Sequence, residues 1–129
     1  MESKVALVTG GNSGLGKETT AVLAAAGLTV VVADVTEAEP PAGATASVVL
    51  DVSDQDAVNR VVDDVVATHG RIDVLVNNAG ITRDGAFHKM TFEKWQAVIK
   101  TNLDSAFTVT RPVIEGMRNR GFGRIILIS

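Results

Sequence analysis

The chain has 129 residues, 46% of them hydrophobic, and a formal net charge of −3. This is the length of one globular domain, and the mild acidity offers no basic surface for nucleic acid. No apolar run approaches the roughly 18 residues of a membrane span, and no cleavable signal peptide is visible. Cysteine is absent, which excludes disulfides and thiolate metal sites and suits a cytoplasmic location. His69 and His88 lack metal-ligand spacing, so no metal is predicted.

Short apolar runs alternate with longer amphipathic stretches, which is typical of a parallel sheet with crossover helices. Apolar runs predict strands over residues 5–9, 29–34, 46–50, 72–77 and 124–129. The first of these is predicted to be buried on both faces, because its apolar residues run without alternation. Two prolines in residues 37–43 exclude a long helix between the second and third strands. We find no repeat and no second domain, so residues 1–129 are predicted to form a single α/β domain.

Apolar residues at helical spacing predict three helices between these strands. The first covers residues 15–26 and stops at Gly27. Its residues at helical spacing are Leu15, Thr19, Val22, Leu23 and Ala26. The second begins with the Ser-x-x-Asp signal of Ser53 and Asp56 and runs to about residue 68. Its side chains predicted to face the sheet are Val58, Val61, Val62 and Val65. The third covers residues 92–119, with candidate interruptions near Thr101-Asn102 and at Pro112.

The first predicted strand leads into a glycine-rich turn, Thr9-Gly10-Gly11-Asn12-Ser13-Gly14-Leu15-Gly16. Glycine permits the tight turn, the approach of the backbone to a diphosphate, and close packing of the helix on the sheet. The free amides at the helix start, with the positive end of its dipole, bind phosphate. The candidate binding residues are Gly10, Asn12, Ser13, Gly14, Leu15 and Gly16. Alone, such a turn could also be a plain strand-to-helix connection.

The spacing Thr-Gly-x-x-x-Gly-x-Gly resembles that of the short-chain dehydrogenase/reductase family, in its compact branch. The resemblance covers residues 4–129, because Asp34, Asp51-Val52 and Asn77-Asn78-Ala79-Gly80 follow in the family's order. It implies a Rossmann-type, doubly wound parallel sheet with strand order 3-2-1-4-5, truncated before the family's last strands. It also implies an oxidoreductase that exchanges hydride with a nicotinamide dinucleotide.

Asp34 ends the second predicted strand. A carboxylate there can accept hydrogen bonds from both hydroxyls of the adenosine ribose, and it repels a 2′-phosphate. Residues 18–59 contain no lysine or arginine, so Lys17 is the only nearby cation suited to a 2′-phosphate. The predicted cofactor is therefore NAD rather than NADP. A solvated aspartate at a strand end is the alternative interpretation.

The resemblance assigns further residues of the cofactor site. Asp51 is implied to accept from the exocyclic amine of adenine while Val52 packs on the ring; a plain turn aspartate is the alternative. Asn78 is implied to brace the central sheet beside the cofactor ribose. In the same turn as Ala79, Gly80 is implied to let the chain pass close to the nicotinamide side.

The catalytic groups of the family are only partly present. In the family, a tyrosinate with a pKa lowered by a lysine exchanges a proton with the substrate, a serine polarises the carbonyl, and an asparagine holds a water. Asn102 matches that asparagine, with a solvent-facing residue as the alternative. Ser129 aligns with the residue before the catalytic serine, and the Tyr-x-x-x-Lys pair would follow residue 129. The chain contains no tyrosine, so we expect negligible turnover from it alone, and a longer protein or a second polypeptide that completes it.

Residues 77–84, Lys89-Met90-Thr91 and Trp95 are similar to beta-ketoacyl-carrier-protein reductases and acetoacetyl-CoA reductases. This implies a 3-oxoacyl or 3-hydroxyacyl thioester of coenzyme A or acyl-carrier protein as substrate. Most such reductases prefer NADP, whereas Asp34 favours NAD. An NAD-linked 3-hydroxyacyl-CoA dehydrogenase would agree with both the similarity and Asp34. Family members commonly pair through the long helix, so a homodimer or homotetramer is expected. A non-catalytic dinucleotide-binding module and a Rossmann methyltransferase are the alternatives.

Overall fold

The computed structural model describes residues 3–12, 14–80 and 87–128. Its strands are β1 (Val5–Thr9), β2 (Thr29–Asp34), β3 (Ala46–Val49), β4 (Val74–Asn77) and β5 (Arg124–Leu127). Its α-helices are α1 (Gly14–Ala25), α2 (Gln55–His69), α3 (Phe92–Ile99) and α4 (Ser105–Arg120). A 3₁₀ turn, Phe87–Lys89, precedes α3, and a π-helical turn, Lys100–Asp104, joins α3 to α4.

The strands form one parallel sheet in the order β3-β2-β1-β4-β5. This confirms the predicted Rossmann-type sheet and its strand order. Because β1 lies in the middle, the order reverses between β1 and β4. A ligand site is expected outside the carboxyl ends of the strands at such a reversal.

Helices cover both faces of the sheet, which explains the unbroken apolar runs in the central strands. On one face α2 and α4 pack against β1, β2 and β4, and the core side chains include Leu7, Val31, Leu75, Val58, Val62, Val65, Val109, Val113 and Met117. On the other face Leu23 and Ala24 of α1 pack against Val8, Val30, Val32 and Val76. Val61 packs at the edge of the first cluster, so the predicted inner face of α2 is confirmed.

The residues at helical spacing in α1 do not all pack against the sheet, since the side chains of Leu15 and Val22 are 58% and 68% exposed. The buried residues of this helix are Gly16 and Thr20. Gly16 approaches the sheet so closely that a Cβ there would overlap the carbonyl oxygen of Gly10. That approach rotates the helix away from the orientation that apolar spacing indicated.

The start of α2 also differs from the prediction. The N-cap is Asp54, whose Oδ1 accepts the N–H of Ala57 at 3.1 Å. The Ser53 hydroxyl instead donates to Oδ1 of Asp51 at 2.6 Å. Aspartate is as good a cap as serine, so the sequence alone does not decide between the two neighbours.

Of the two candidate interruptions of the long helix, the structure confirms the one at Thr101-Asn102, which lie in the π-helical turn. The candidate at Pro112 is wrong, because α4 continues through it. Proline removes the N–H that would bond the carbonyl four residues earlier, at Thr108. That carbonyl instead accepts from Nε2 of Gln55 in α2 at 3.2 Å, so the cost of the proline is partly offset.

Element ends otherwise shift by one or two residues, as hydrogen-bond patterns at ends usually do. The third strand stops at Val49, and the fourth begins at Val74. The fifth stops at Leu127, and the predicted strand end at Ser129 lies outside the described residues. Within the described part of the chain, no helix is long and apolar enough to cross a membrane.

Candidate functional site

A cleft of about 520 Å³ opens at the carboxyl ends of β1, β2 and β4, where the strand order reverses. The predicted binding residues that line it are Gly10, Asp34, Asp51, Val52, Asn78, Ala79 and Gly80. These residues come from four separate segments of the sequence, and the parallel sheet brings them to one edge. Of the other predicted residues, Asn12, Gly14, Leu15, Gly16 and Asn102 do not line this cleft, and Ser13 lies outside the described residues.

Two glycines of the first turn are required for different reasons. Gly14 has φ +55°, in the left-handed region that favours glycine, and a Cβ there would meet nothing within 4 Å. The helix start is therefore open on that side, where a diphosphate could approach the backbone. At Gly16 a Cβ would overlap the Gly10 carbonyl oxygen and lie 2.5 Å from Nδ2 of Asn78. Gly16 therefore serves close packing of α1 on the sheet.

The turn after β4 is tied to the turn after β1. Nδ2 of Asn78 donates to the Gly10 carbonyl oxygen at 3.0 Å. The hydroxyl oxygen of Thr9, a buried residue, accepts the backbone N–H groups of Asn78 and Ala79 at 3.1 and 3.0 Å. Thr9 was not predicted as a site residue. A signal for it exists, since it is the one hydroxyl side chain in an otherwise apolar first strand.

Asp34 ends β2 with only 9% of its surface exposed. Oδ2 accepts the backbone N–H of Asn12 at 3.1 Å, and Oδ1 accepts that of Thr36 at 3.0 Å. A carboxylate has about four acceptor positions, so these two bonds leave positions for a ribose diol. The carboxylate that lines the cleft is therefore held in place by two backbone N–H groups.

Asp51 and Val52 follow β3, whereas Gly80 follows β4. Because β2 and β1 lie between β3 and β4 in the sheet, these residues line opposite sides of the cleft. The pKa of the Asp51 carboxyl lies below its ordinary value, first because of the Ser53 hydroxyl and then because of the Ser53 N–H. Partial burial opposes this shift and the charge of Lys100 assists it. Both bonds from Ser53 end on Oδ1, so Oδ2 stays available to accept an amine. Val52 is buried beside it.

Asn102 lies against the turn that follows β4. A Cβ at Gly80 would come within 3.0 Å of Oδ1 of Asn102, so the lack of a side chain at Gly80 makes this contact possible. The π-helical turn that carries Asn102 leads into α4. Asn77 links α4 to β4 by donating from Nδ2 to the hydroxyl of Thr110 at 3.0 Å. Single-turn π segments are frequent at functional sites.

Sequence reasoning missed part of the cleft lining, namely Val35, Thr36, Leu50, Ser53, Ala97 and Thr101. The first four lie within two residues of Asp34 or Asp51, so closeness to those residues in the sequence was an available signal. Ala97 and Thr101 belong to α3 and the turn after it, and only the tertiary fold brings them there. Among the residues that the structure describes, no group of three or more His, Asp or Glu side chains could hold a metal ion.

The groups at this edge of the sheet fit a dinucleotide. A backbone turn open at Gly14 suits a diphosphate. The carboxylates of Asp34 and Asp51 line the cleft as acceptors for sugar hydroxyls and a base amine.

Comparisons with known proteins agree with this geometry. A family model described as short chain dehydrogenase matches residues 4–129. The chain is 44% identical to the 3-oxoacyl-[acyl-carrier-protein] reductase FabG of Thermotoga maritima, covering 100% of this chain and 56% of that protein. It is 48% identical to an acetoacetyl-CoA reductase of Shinella zoogloeoides, covering 98% of this chain and 55% of that protein. The chain thus spans about half the length of the curated relatives it matches.

A solved structure, that of a short-chain dehydrogenase from Streptomyces avermitilis, superposes with a TM-score of 0.86 at 37% sequence identity. The match covers 96% of this chain and 48% of that chain. Sequence and fold thus agree over nearly the whole of residues 4–129. These matches decide against the methyltransferase alternative: the chain belongs to the short-chain dehydrogenase family.

Proposed function

We propose that the protein is an NAD-dependent oxidoreductase that transfers hydride between the nicotinamide and a carbonyl or alcohol, and that residues 1–129 supply the cofactor-binding half. The observation that carries the proposal is Asp34, a carboxylate at the end of β2 that lines the cleft beside the glycine turn. It is a suitable acceptor for both hydroxyls of the adenosine ribose.

The choice of NAD over NADP rests on charge. Asp34 is held by two backbone N–H groups, and a 2′-phosphate at the ribose would bring negative charge against it. No lysine or arginine occurs in residues 18–59 to offset that repulsion. Lys17, one residue after Gly16, is exposed on α1. NAD lacks the 2′-phosphate, so it avoids the repulsion.

When bound, the nicotinamide supplies the hydride acceptor or donor. The chain's own residues bind the cofactor and orient it. We assign the backbone of the glycine turn, with Gly10, Asn12, Ser13, Gly14, Leu15 and Gly16, to the diphosphate. Asp51 and Val52 are assigned to the adenine. Asn78, Ala79 and Gly80 are assigned to the ribose and the amide on the nicotinamide side, with Asn102 as a candidate holder of a water near the reacting atoms.

The substrate class follows from the relatives. One is named as a reductase of 3-oxoacyl groups on acyl-carrier protein and another as a reductase of acetoacetyl-CoA. We therefore propose a 3-oxoacyl or 3-hydroxyacyl thioester as substrate. A cytoplasmic location and a homodimer or homotetramer stay predictions.

We also infer that the 129-residue polypeptide alone turns over negligible substrate, because it has no tyrosine to act as the family's proton donor. A non-catalytic dinucleotide-binding module is the other outcome for the whole protein. An active oxidoreductase and a non-catalytic module are distinguished by mixing the protein with NADH and acetoacetyl-CoA and following the loss of NADH absorbance. Turnover by the protein as its gene encodes it, but not by residues 1–129, is expected.

The cofactor assignment is tested by calorimetric titration of the whole protein with NADH and with NADPH. NADH is expected to bind more tightly. Asp34→Ala should weaken NADH binding by about 10-fold or more, because hydrogen bonds to a charged group contribute about 1.5–3 kcal/mol. The same change should narrow or reverse the preference over NADPH. Asp63→Ala, on the exposed side of α2, is the matched control and should change neither affinity.

Trp95 gives an independent measurement, since it is the only tryptophan in residues 1–129 and lies on α3, the helix that also carries Ala97 of the cleft. Energy transfer from the indole to bound NADH should quench its emission. Tighter binding of NADPH than of NADH by the unaltered protein would contradict the proposal.

A further inference from the structure

A closed ring of hydrogen bonds surrounds the carboxylate of Asp34. The N–H of Asn12 donates to Oδ2 and the N–H of Thr36 donates to Oδ1. The side chain of Asn12 completes the ring, because its Nδ2 donates to the carbonyl oxygen of Thr36 at 2.8 Å. The two residues that hold the carboxylate are therefore also joined to each other.

This ring limits the motion of the carboxylate. An aspartate side chain at the end of a strand can usually turn about its two torsions, and a free carboxylate would turn away from an approaching phosphate. With one backbone donor on each oxygen, Asp34 keeps its remaining acceptor positions in fixed directions. A diol then meets two aligned acceptors, whereas a 2′-phosphate meets a charge that does not move aside.

The side chain of Asn12 is not fully satisfied in this arrangement. Its Oδ1 is buried and has no hydrogen-bond partner within the described ranges 3–12, 14–80 and 87–128. A buried acceptor without a partner is unfavourable and calls for an explanation. Nδ2 of the same amide joins the glycine turn to Thr36. We therefore attribute the role of the Asn12 side chain to this link, because its unpaired Oδ1 does not stabilise the fold.

We propose that Asn12 is a positioning residue for cofactor choice, which acts through Asp34 by linking the two backbone segments that hold its carboxylate. The inference rests on the proposed function, because it concerns which dinucleotide the same cleft prefers. It predicts that the discrimination between NAD and NADP depends on the Asn12 side chain as well as on the charge of Asp34.

The test uses the whole protein and titrates NADH and NADPH calorimetrically against four variants: Asn12→Ala, Asn12→Ser, Asp34→Ala and the double variant Asn12→Ala/Asp34→Ala. Neither Ala nor Ser can reach the Thr36 carbonyl, and Ser keeps a turn-forming side chain should Ala impair folding. Each single change at Asn12 is expected to weaken NADH binding by about 3- to 10-fold, the worth of one hydrogen bond. It should not weaken NADPH binding, because the released carboxylate can turn away from the 2′-phosphate. In the Asp34→Ala background, Asn12→Ala is expected to change neither affinity, as for two coupled residues.

Asn119→Ala, an exposed asparagine at the end of α4, is the matched control and should leave both affinities unchanged. Equal weakening of NADH and NADPH by the Asn12 variants would overturn the proposal, because it indicates a general structural role. An undiminished effect of Asn12→Ala in the Asp34→Ala background would also overturn it, because Asn12 would then act on the ligand by itself. A different result would contradict the proposed function itself, namely that the unaltered protein does not bind NADH more tightly than NADPH.

Discussion

The side-chain nitrogen of Asn78 lies 3.0 Å from the carbonyl oxygen of Gly10, although 68 residues of sequence separate them. Gly16 of α1 packs against these same two groups. One hydrogen bond therefore joins the end of β1, the end of β4 and the first turn of α1. Gly10 and Asn78 both line the cleft, so this contact holds the ends of β1 and β4 together where the cleft opens.

Replacing Asn78 with leucine, which is similar in size but cannot donate, should leave the Gly10 carbonyl oxygen without this partner. We expect the free energy of unfolding to fall by about 1–3 kcal/mol, the cost of an unpaired, partly buried polar group. Urea unfolding at neutral pH measures the change. Asn119→Leu at the exposed end of α4 is the control and should stay within about 0.5 kcal/mol. Equal stability of the Asn78 variant and the control would show that the bond contributes nothing.

Two helical glycines should respond oppositely to alanine. A Cβ at Gly16 would overlap backbone atoms of Gly10, which cannot move aside, so Gly16→Ala should destabilise the protein by about 1–3 kcal/mol. At Gly116 in α4 the nearest atom to a Cβ is NH1 of Arg120 at 3.0 Å, the far end of a flexible side chain. Gly116→Ala should therefore raise the free energy of unfolding by up to about 1 kcal/mol, the helix propensity difference. Denaturant unfolding of both variants checks the signs, and the same sign for both would refute this packing argument.

These contacts show which parts of the structure a sequence can predict. Strands such as β1 and β2 are unbroken apolar runs, and Asp34 stands directly at the end of one, so strand order and cleft position followed from pattern and resemblance. The sequence did not predict which residues of α1 are buried, because the close contact with Gly10 and Asn78 is made by Gly16, which has no apolar side chain to reveal it.

Other misses have the same physical origin, a partner distant in sequence or a competing neighbour. Pro112 did not break α4 because Gln55, from another helix, bonds the carbonyl that proline leaves free. Asp54 rather than Ser53 caps α2, and the Ser53 hydroxyl donates to the neighbouring Asp51 instead. Patterns of spacing contain no information about such competition, which is decided only when the chain is folded.

A buried ion pair at the opposite end of the sheet should make stability depend on pH. Asp73 is fully buried, accepts the N–H of Val5 at 2.8 Å and pairs with Arg71. Burial alone would raise the pKa of the Asp73 carboxyl, but the hydrogen bonds from Arg71 and Val5 outweigh it and bring the pKa below the ordinary 3.8. A carboxyl with a lowered folded pKa stabilises the fold above its unfolded pKa and loses that contribution as the pH falls through the folded pKa.

Asp73→Asn should therefore cost about 1.5–3 kcal/mol at neutral pH, where hydrogen bonds to a charged group are lost. The difference from the unaltered protein should persist down to about pH 4 and shrink below 3.8, because the carboxyl is protonated first in the unfolded chain and, below the lowered pKa, in the native protein as well. Urea unfolding across the acid range measures it, with Asp63→Asn on the exposed side of α2 as control. A constant difference at every pH would exclude the carboxylate charge as its source.

The Ser53 hydroxyl should control the ionisation of Asp51 in the cleft. It donates to Oδ1 at 2.6 Å and is the largest cause of the lowered pKa of that carboxyl. Ser53→Ala removes this bond but keeps the backbone N–H, so the Asp51 pKa should rise towards 3.8 without reaching it. An acceptor for the adenine amine must be ionised to act at full strength. The contribution of Asp51 to NADH affinity should accordingly be lost at a higher pH in the variant, as the pH falls through the raised pKa.

Carbon-13 NMR titration of the side-chain carboxyl measures the pKa directly, with Asp51→Asn identifying the resonance by its disappearance. Above about pH 6 both proteins carry an ionised Asp51, so their NADH affinities should agree to within the small effect of the lost hydroxyl. An Asp51 pKa that does not move in Ser53→Ala would mean that the backbone N–H of residue 53 and the charge of Lys100 are sufficient to hold it. In that case the serine would contribute only to the shape of the loop between β3 and α2.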